Sequence, residues 1–136
     1  TIKENSDNST TISIYSRIIA EFIYSLAGSG FNKKSLTNII KFNSPSSQIG
    51  ILVGAFRGDA CAIEEGLQLT LANQTLIEEL FEIALRCGLS PYMFRGYKNS
   101  IANYFPYQLK IGARFDKEFI LKVAKNMDKT NLTPQG

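Results

Sequence analysis

The sequence predicts an α+β domain in which helices alternate with antiparallel hairpins. Apolar residues recur at helical spacing in segments that begin near Pro45, Asn73 and Asp116. Each of the first two segments is followed by two short apolar runs that a turn separates. The predicted order from residue 45 is therefore αββαββα. We expect four short strands in one antiparallel sheet, with the helices on one face and the other face free.

The segment before Pro45 predicts a strand and a helix. Residues 1–9 are polar and expected to be frayed, and Thr11–Tyr15 alternates as a half-buried strand does. Ser16 is placed to cap the following helix, and Gly28 and Gly30 to end it. Its predicted buried face is Ile18, Ile19, Phe22, Ile23 and Leu26. Residues 31–45 indicate a short helix or turn.

An internal repeat links this segment to the end of the chain. Six residues, Ile14, Arg17, Glu21, Phe22, Ile23 and Ala27, match Ile111, Arg114, Glu118, Phe119, Ile120 and Ala124 at a constant offset (111 − 14 = 97). We therefore expect residues 1–44 to hold the last strand and helix of a preceding repeat, plus a linker. The alternative is a chance similarity between two amphipathic segments.

The helix that begins at Pro45 has two stripes. The apolar stripe, Ile49, Leu52, Val53 and Phe56, follows the i, i+3, i+4, i+7 pattern. The second stripe is bare, because Gly50, Gly54 and Gly58 are spaced by four. Each interior Gly costs a helix about 1 kcal/mol relative to Ala. We expect this bare face to bring another backbone close, within a soluble assembly, because the uncharged run is shorter than the roughly 20 residues of a membrane span.

Asp59 stands where this helix is expected to end. A carboxylate there meets the negative end of the helix dipole, at a cost of roughly 0.3–1 kcal/mol. A second such helix against the Gly face would bring two carboxylates together, and such a pair attracts a cation. Carboxylate and carbonyl oxygens suit Mg²⁺. The alternative interpretation is a solvated Asp59 in a turn after a bent helix.

The remaining elements follow in order. A hairpin of Ala60–Ile63 and Leu67–Leu71 turns at Glu64–Gly66. Asn73 is expected to cap the next helix and Gly88 to end it, with Leu76, Ile77, Leu80, Phe81, Ala84 and Leu85 inward. Strands are expected at Pro91–Tyr97 and Pro106–Gly112, with a turn region at Lys98–Ser100. Asp116 is expected to cap the last helix, with Phe119, Ile120, Val123, Ala124 and Met127 inward.

Composition limits the classes of function. The chain has 136 residues, of which 44% are hydrophobic and 20% charged, as in one compact domain. Its net charge of +3 is compatible with a nucleic-acid partner. The absence of His excludes Ser-His-Asp and Cys-His catalysis and His-ligated metals. Cys61 and Cys87 lack metal-type spacing, so we expect reduced, partly buried thiols. No signal peptide or membrane span is recognisable, and we expect a cytoplasmic protein.

The segment Leu52–Ala60 resembles the nine-residue signature of the LAGLIDADG homing endonucleases, in the form common in intein-borne members. In that family the signature helix joins two half-domains and its acidic residue binds the catalytic metal. The resemblance implies that Asp59 is a catalytic metal ligand and that Gly50, Gly54 and Gly58 form the helix interface. The Gly58 carbonyl is a further candidate ligand. Ala60 departs from the Gly usual at its position.

The resemblance covers roughly residues 45–127, and we expect a half-domain at 45–130 followed by a tail at 131–136. Family members keep a lysine on a late strand near the scissile phosphate, and Lys110 is the best match. Arg95, Tyr97, Lys98 and Tyr107 mix basic and aromatic side chains and are the predicted DNA-binding residues. Residues 60–72 carry no Lys or Arg, and Glu64 and Glu65 repel phosphate. This half is therefore expected to bind DNA poorly alone.

The predicted function is that of a site-specific, Mg²⁺-dependent DNA endonuclease, a homing endonuclease or a fragment of one, including a fragment of an intein. Double-strand cleavage would need a second half, supplied by a homodimer or by the preceding repeat. One alternative is a non-cleaving LAGLIDADG-derived DNA- or RNA-binding protein, a regulator or a maturase. Another is a structural or oligomerisation domain that binds no nucleic acid.

Overall fold

The computed structural model describes residues 1–30, 33–98 and 104–125. Its elements are β1 (Ile2–Glu4), β2 (Thr10–Ile12), α1 (Arg17–Ala27), α2 (Asn38–Lys41), α3 (Pro45–Asp59), β3 (Ala60–Ile63), β4 (Gly66–Leu71), α4 (Gln74–Arg86), β5 (Pro91–Arg95), β6 (Tyr107–Gly112) and α5 (Ala113–Ala124). The α+β class and the αββαββα order from residue 45 are confirmed. Asn99, Ser100, Met127 and the predicted tail lie outside the described residues. Within those residues, no helix combines the length and apolar character that crossing a bilayer requires.

The main sheet has the strand order β3-β4-β6-β5, and every neighbouring pair is antiparallel. Leu67, Leu69, Leu109 and Ile111 point from one face into the core, where they join α3, α4 and α5. On α3 and α5 the rings of Phe56 and Phe119 meet edge to face, with centroids 5.5 Å apart. Successive strand residues alternate between the two faces of a sheet. The other side, called here the outer face, carries the side chains of Cys61, Ile63, Gln68, Thr70, Tyr92, Phe94, Gln108 and Lys110.

The turn between β3 and β4 requires glycine at position 66. Gly66 has φ +153°, and a Cβ added to it would lie 2.2 Å from the carbonyl oxygen of Ile111. The neighbouring Glu65 carbonyl accepts a hydrogen bond of 2.7 Å from the backbone N–H of Ala113. The hairpin tip is thus held against the junction of β6 and α5.

The N-terminal segment differs from its prediction in two respects. Residues 1–9 are not wholly frayed, because Ile2–Glu4 pairs with β2 in a small two-stranded sheet. The predicted half-buried strand Thr11–Tyr15 is shorter, at Thr10–Ile12, and its residues are exposed. The predicted cap is confirmed, since the Ser16 side chain accepts from the backbone N–H of Ile19. Gly28 ends α1, with φ +67°.

The predicted burial of the α1 face is wrong. Ile18, Ile19, Phe22 and Ile23 are exposed, Leu26 is half-buried, and no residue of α1 is buried. Periodicity sets the amphipathic character of a helix, whereas burial needs a second element on its apolar side. No element of the described residues covers that side of α1.

The two segments of the predicted repeat both contain a strand and a helix but differ in packing. Residues 10 and 107 begin β2 and β6, and residues 27 and 124 end α1 and α5, in both cases 97 positions apart. The matched phenylalanines contrast, because Phe119 is 4% exposed and Phe22 is 61% exposed. α1 therefore presents to solvent the face that its counterpart buries.

Two predictions for the later helices are also wrong. Leu85 is 51% exposed, and Ile83 is buried in its place, because the helix phase turns residue 83 towards the sheet. The last helix, Ala113–Ala124, is kinked at Asp116, which is buried and non-helical (φ −119°, ψ 36°). Its carboxylate accepts from the backbone N–H of Ser90 at 2.9 Å. Asp116 therefore fastens the loop before β5 and does not cap the helix.

The linker between α1 and α3 is fixed to α4. The buried Glu79 carboxylate accepts from the Ser35 hydroxyl at 2.9 Å and from the Leu36 N–H at 2.7 Å, and Lys41 Nζ lies 3.3 Å away. Asn73, which caps α4 as predicted, donates from Nδ2 to the Lys34 carbonyl at 2.7 Å. Further bonds reach the Lys41 carbonyl from Gln48 and Arg86.

Both cysteines are free and partly buried, as predicted. Cys61 Sγ lies 3.6 Å from the carbonyl oxygen of Gln68, and Cys87 Sγ lies 3.7 Å from that of Pro45. Burial raises the pKa of the Cys87 thiol above its ordinary value. This thiol is consequently a weaker nucleophile at neutral pH than an exposed one.

Candidate metal and nucleic-acid site

Asp59 is the last residue of α3, as the sequence predicts. Pro45 occupies the first turn, and the Ala60 N–H closes the final turn on the Phe56 carbonyl before the chain enters β3. The Asp59 side chain is exposed. Within the described residues, its carboxylate has neither a hydrogen bond nor an ion pair. A carboxylate at the negative end of a helix dipole, without a partner of its own, is well placed to take a cation.

The glycine stripe of α3 is bare in the single chain. Gly50, Gly54 and Gly58 are all exposed, and a Cβ added to any of them would meet nothing within 4 Å. On the opposite side, Leu52 and Phe56 are buried in the core. No steric need within the described chain explains the three glycines, although each lowers helix stability.

A cleft of about 270 Å³ lies beside Asp59, between α3 and α4. Its walls are mainly apolar, with Ile51 and Ala55 from α3 and Leu76 and Leu80 from α4. Lys34 also lines the cleft. The carboxylate therefore stands beside an apolar space and a lysine, with no second carboxylate lining the cleft.

Lys110 lies on the outer face of the sheet. The strand register places it between Gln68 on β4 and Tyr92 on β5. Its ammonium nitrogen lies 4.7 Å from the centroid of the Phe94 ring, a cation–π arrangement. Within the described residues, Lys110 and Asp59 share neither a hydrogen bond nor an ion pair.

The four predicted DNA-binding residues do not form one surface. Arg95 pairs with Tyr107, which lies two residues before the core residue Leu109 on β6. Residues two apart on a strand point to the same face, so Arg95 and Tyr107 both lie on the helix side of the sheet. There they flank a depression with Gln74 and Glu78 of α4, and Arg95 stacks on Phe105. Tyr97 and Lys98 follow β5 and are exposed.

Sequence reasoning missed Tyr92 and Phe94, the aromatic residues beside Lys110. Their rings lie 5.7 Å apart on the outer face. Alternation along β5 separates these two residues from Arg95, and that pattern is visible in the sequence. The side of the sheet that each set occupies depends on the pairing with β6, which the sequence does not show.

The donor set near Asp59 fits half of a site for a hard cation. The Asp59 carboxylate and the backbone carbonyls of the last helical turn are oxygen ligands of the kind that Mg²⁺ takes. Among the described residues, no three or more of the Cys, Asp and Glu side chains gather as a metal cluster. A full site would therefore need further ligands beyond Asp59 and these carbonyls.

A scan of the chain against protein-family models found no match. A comparison with curated proteins found no significant match either.

Proposed function

We propose that this chain is one half of a metal-dependent DNA endonuclease of the LAGLIDADG type. The observation that carries the proposal is the bare, exposed glycine face of α3, which ends at the unpaired carboxylate of Asp59. The αββαββα order, with α3 packed on a four-stranded antiparallel sheet, is the setting that the signature resemblance implies.

The active assembly places two signature helices side by side. Glycine at every fourth position lets two helix backbones approach closely, because no side chain separates them. The partner helix comes from a second copy or from a preceding repeat. The 97-residue correspondence between α1 and α5, and the uncovered face of α1, support the preceding repeat.

In this assembly Asp59 and the Gly58 carbonyl would hold the metal together with the equivalent groups of the second half. A bound Mg²⁺ would supply Lewis acidity for hydrolysis of the phosphodiester. Lys110 is the candidate to neutralise phosphate charge from the sheet. The outer face meets the duplex, because it is the face that the helices leave open.

The first test is the solution mass by sedimentation equilibrium, with and without Mg²⁺. A mass of twice 15.1 kDa identifies a homodimer, in which two Asp59 carboxylates can meet. A monomer identifies a chain that needs a preceding repeat as its second half.

The second test is cleavage of a random duplex library by the paired protein in Mg²⁺. Asp59→Asn should lower cleavage at least about 100-fold, because it removes charge stabilisation from the metal site. Asp7→Asn, in the N-terminal hairpin, is the matched control and should leave cleavage unchanged.

Two outcomes contradict the endonuclease. Duplex binding without cleavage, unaffected by Asp59→Asn, identifies a non-cleaving relative. No binding to any duplex at low salt, together with self-association through the glycine face, identifies an oligomerisation domain.

A further inference from the structure

The outer face has a depression of about 170 Å³ at the end where β6 runs into α5. Its lining includes Ile63, Glu65, Ser90, Tyr92, Lys110 and Phe115. Two of these are large aromatic side chains left open to solvent, since Tyr92 is 65% exposed and Phe115 is 72% exposed. The metal site proposed above uses neither ring.

The charge and chemistry around the depression favour nucleic acid over an apolar partner. The strands of the outer face carry Lys110 together with amide and hydroxyl side chains, Gln68, Thr70 and Gln108, and the one acidic residue among the described residues of the lining is Glu65 of the β3–β4 turn. Within the described residues, the Lys110 ammonium is not paired with a carboxylate, and its neighbour is the Phe94 ring. A lysine attracts a phosphate, and the exposed rings of Tyr92 and Phe115 offer faces on which bases stack.

The volume of the depression suits a ligand that consists of a single ring system. Pockets that enclose a drug-sized ligand span about 300–1,000 Å³, and this one is smaller. Within a duplex, each base already stacks on its neighbours, so its faces are not open to protein rings. The ring faces of Tyr92 and Phe115 therefore suit a base that has left a duplex or was never in one.

We propose that this depression binds an unpaired nucleobase of single-stranded DNA or RNA. Tyr92 and Phe115 stack on the base, and Lys110 contacts the adjoining phosphodiester. Glu65 on the wall can accept hydrogen bonds from a base edge that donates, such as the amino group of cytosine. The site depends neither on metal-dependent cleavage nor on pairing through α3.

The test measures the binding of fluorescein-labelled octamers of mixed sequence by anisotropy at low salt. Single-stranded DNA, single-stranded RNA and the matching DNA duplex are compared with the full chain. Tyr92→Ala should weaken binding of the single strands about tenfold or more, the scale of one lost base stack. Tyr92→Phe keeps the ring and should stay within about twofold of the parent chain.

Tyr24→Ala is the matched control, because Tyr24 is 63% exposed and lies on α1, away from the sheet. It should leave single-strand binding unchanged. Phe115→Ala provides an independent second variant with the same expected loss as Tyr92→Ala. Circular dichroism melting checks that each variant keeps its fold.

The proposal is overturned if neither single strand binds, or if Tyr92→Ala changes binding no more than Tyr24→Ala does. An equal loss for single strand and duplex also overturns it, since that pattern indicates phosphate contact alone. Tighter binding of RNA than of DNA would identify a contact to the 2′-hydroxyl. Equal binding would identify a site that uses only stacking and phosphate contacts. Both results support the proposal. Asp59→Asn should leave single-strand binding intact, so a failure of the endonuclease proposal remains distinguishable.

Discussion

At the residue scale, Glu79 is the polar side chain that ties α4 to the linker before α3. Its two carboxylate oxygens accept from Ser35 and from the Leu36 backbone, and Lys41 supplies the charge partner. Glu79 stands on the inward side of α4 and is buried. Sequence reasoning missed it because its hydrogen-bond partners, Ser35 and Leu36, lie 44 and 43 residues earlier in the chain.

Glu79→Ala should lower the free energy of unfolding by about 2–4 kcal/mol. The change leaves a buried N–H and a hydroxyl without acceptors, at about 1–3 kcal/mol for each unsatisfied group. Urea denaturation measures the loss. Glu78→Ala is the control: its carboxylate accepts from Gln74 on an exposed surface, and it should cost less than about 0.5 kcal/mol. Similar losses for both variants would contradict the role assigned to Glu79.

Arg57 ties α3 to the end of α5. Its Nε donates to the Val123 carbonyl at 3.0 Å, and a terminal nitrogen donates to the Lys122 and Lys125 carbonyls at 2.9 Å each. These carbonyls belong to a helix C-terminus, where a cation also meets the negative dipole end.

Arg57→Ala should lower the free energy of unfolding by about 1–2 kcal/mol, because charged hydrogen bonds at a partly exposed site are lost. Arg57→Lys should recover only part of this, since an ammonium lacks the planar fork that reaches several carbonyls. Thermal melts followed by circular dichroism give the order of the variants. Full recovery with lysine would show that charge alone matters.

At the element scale, the sequence predicts the helices and strands well and their burial less well. Caps such as Ser16 and Asn73, and the glycine ends at Gly28 and Gly88, are local signals and are confirmed. The exposed face of α1 and the internal position of Asp116 are not local properties. Both depend on which element packs alongside, and a periodic pattern carries no information on that.

The internal repeat provides a matched pair of substitutions. Phe119→Ala should lower the free energy of unfolding by about 3–5 kcal/mol, because it empties a core position beside Phe56. Phe22→Ala, 97 residues earlier, should change it by less than about 0.5 kcal/mol in the monomeric chain. Denaturation in urea at low protein concentration measures both. A cost above 2 kcal/mol for Phe22→Ala would mean that α1 is covered in solution.

At the scale of the whole molecule, part of the candidate site could be predicted from the sequence. The position of Asp59 at a helix end, and the glycine stripe that leads to it, follow from spacing. The face on which Lys110, Arg95 and Tyr107 lie follows only from the pairing of β6 with β4 and β5. A single-residue shift in register exchanges the two faces, so the sequence alone could not separate them.

Two substitutions at Gly54 distinguish the stability of the single chain from its association with a second helix. Gly54→Ala should raise the free energy of unfolding of the single chain by up to about 1 kcal/mol, since alanine favours helix and the site is open. Gly54→Leu should abolish pairing of α3 helices and leave each chain folded. Urea denaturation and sedimentation equilibrium are the two measurements. Lys117→Leu, at an exposed position of α5, is the control and should pair normally. Normal pairing of Gly54→Leu would refute the glycine interface.

The anchored linker has a consequence for how any segment attached to α1 meets α3. A flexible linker gives the two segments that it joins a low effective concentration, and contact between them costs the entropy of loop closure. Residues 34–41 are instead bonded to α4 through Asn73, Glu79 and Arg86, and their backbone also bonds to the end of α1. The linker is therefore already ordered in the folded monomer. Most of its conformational entropy is lost when the monomer folds and not when the two halves assemble.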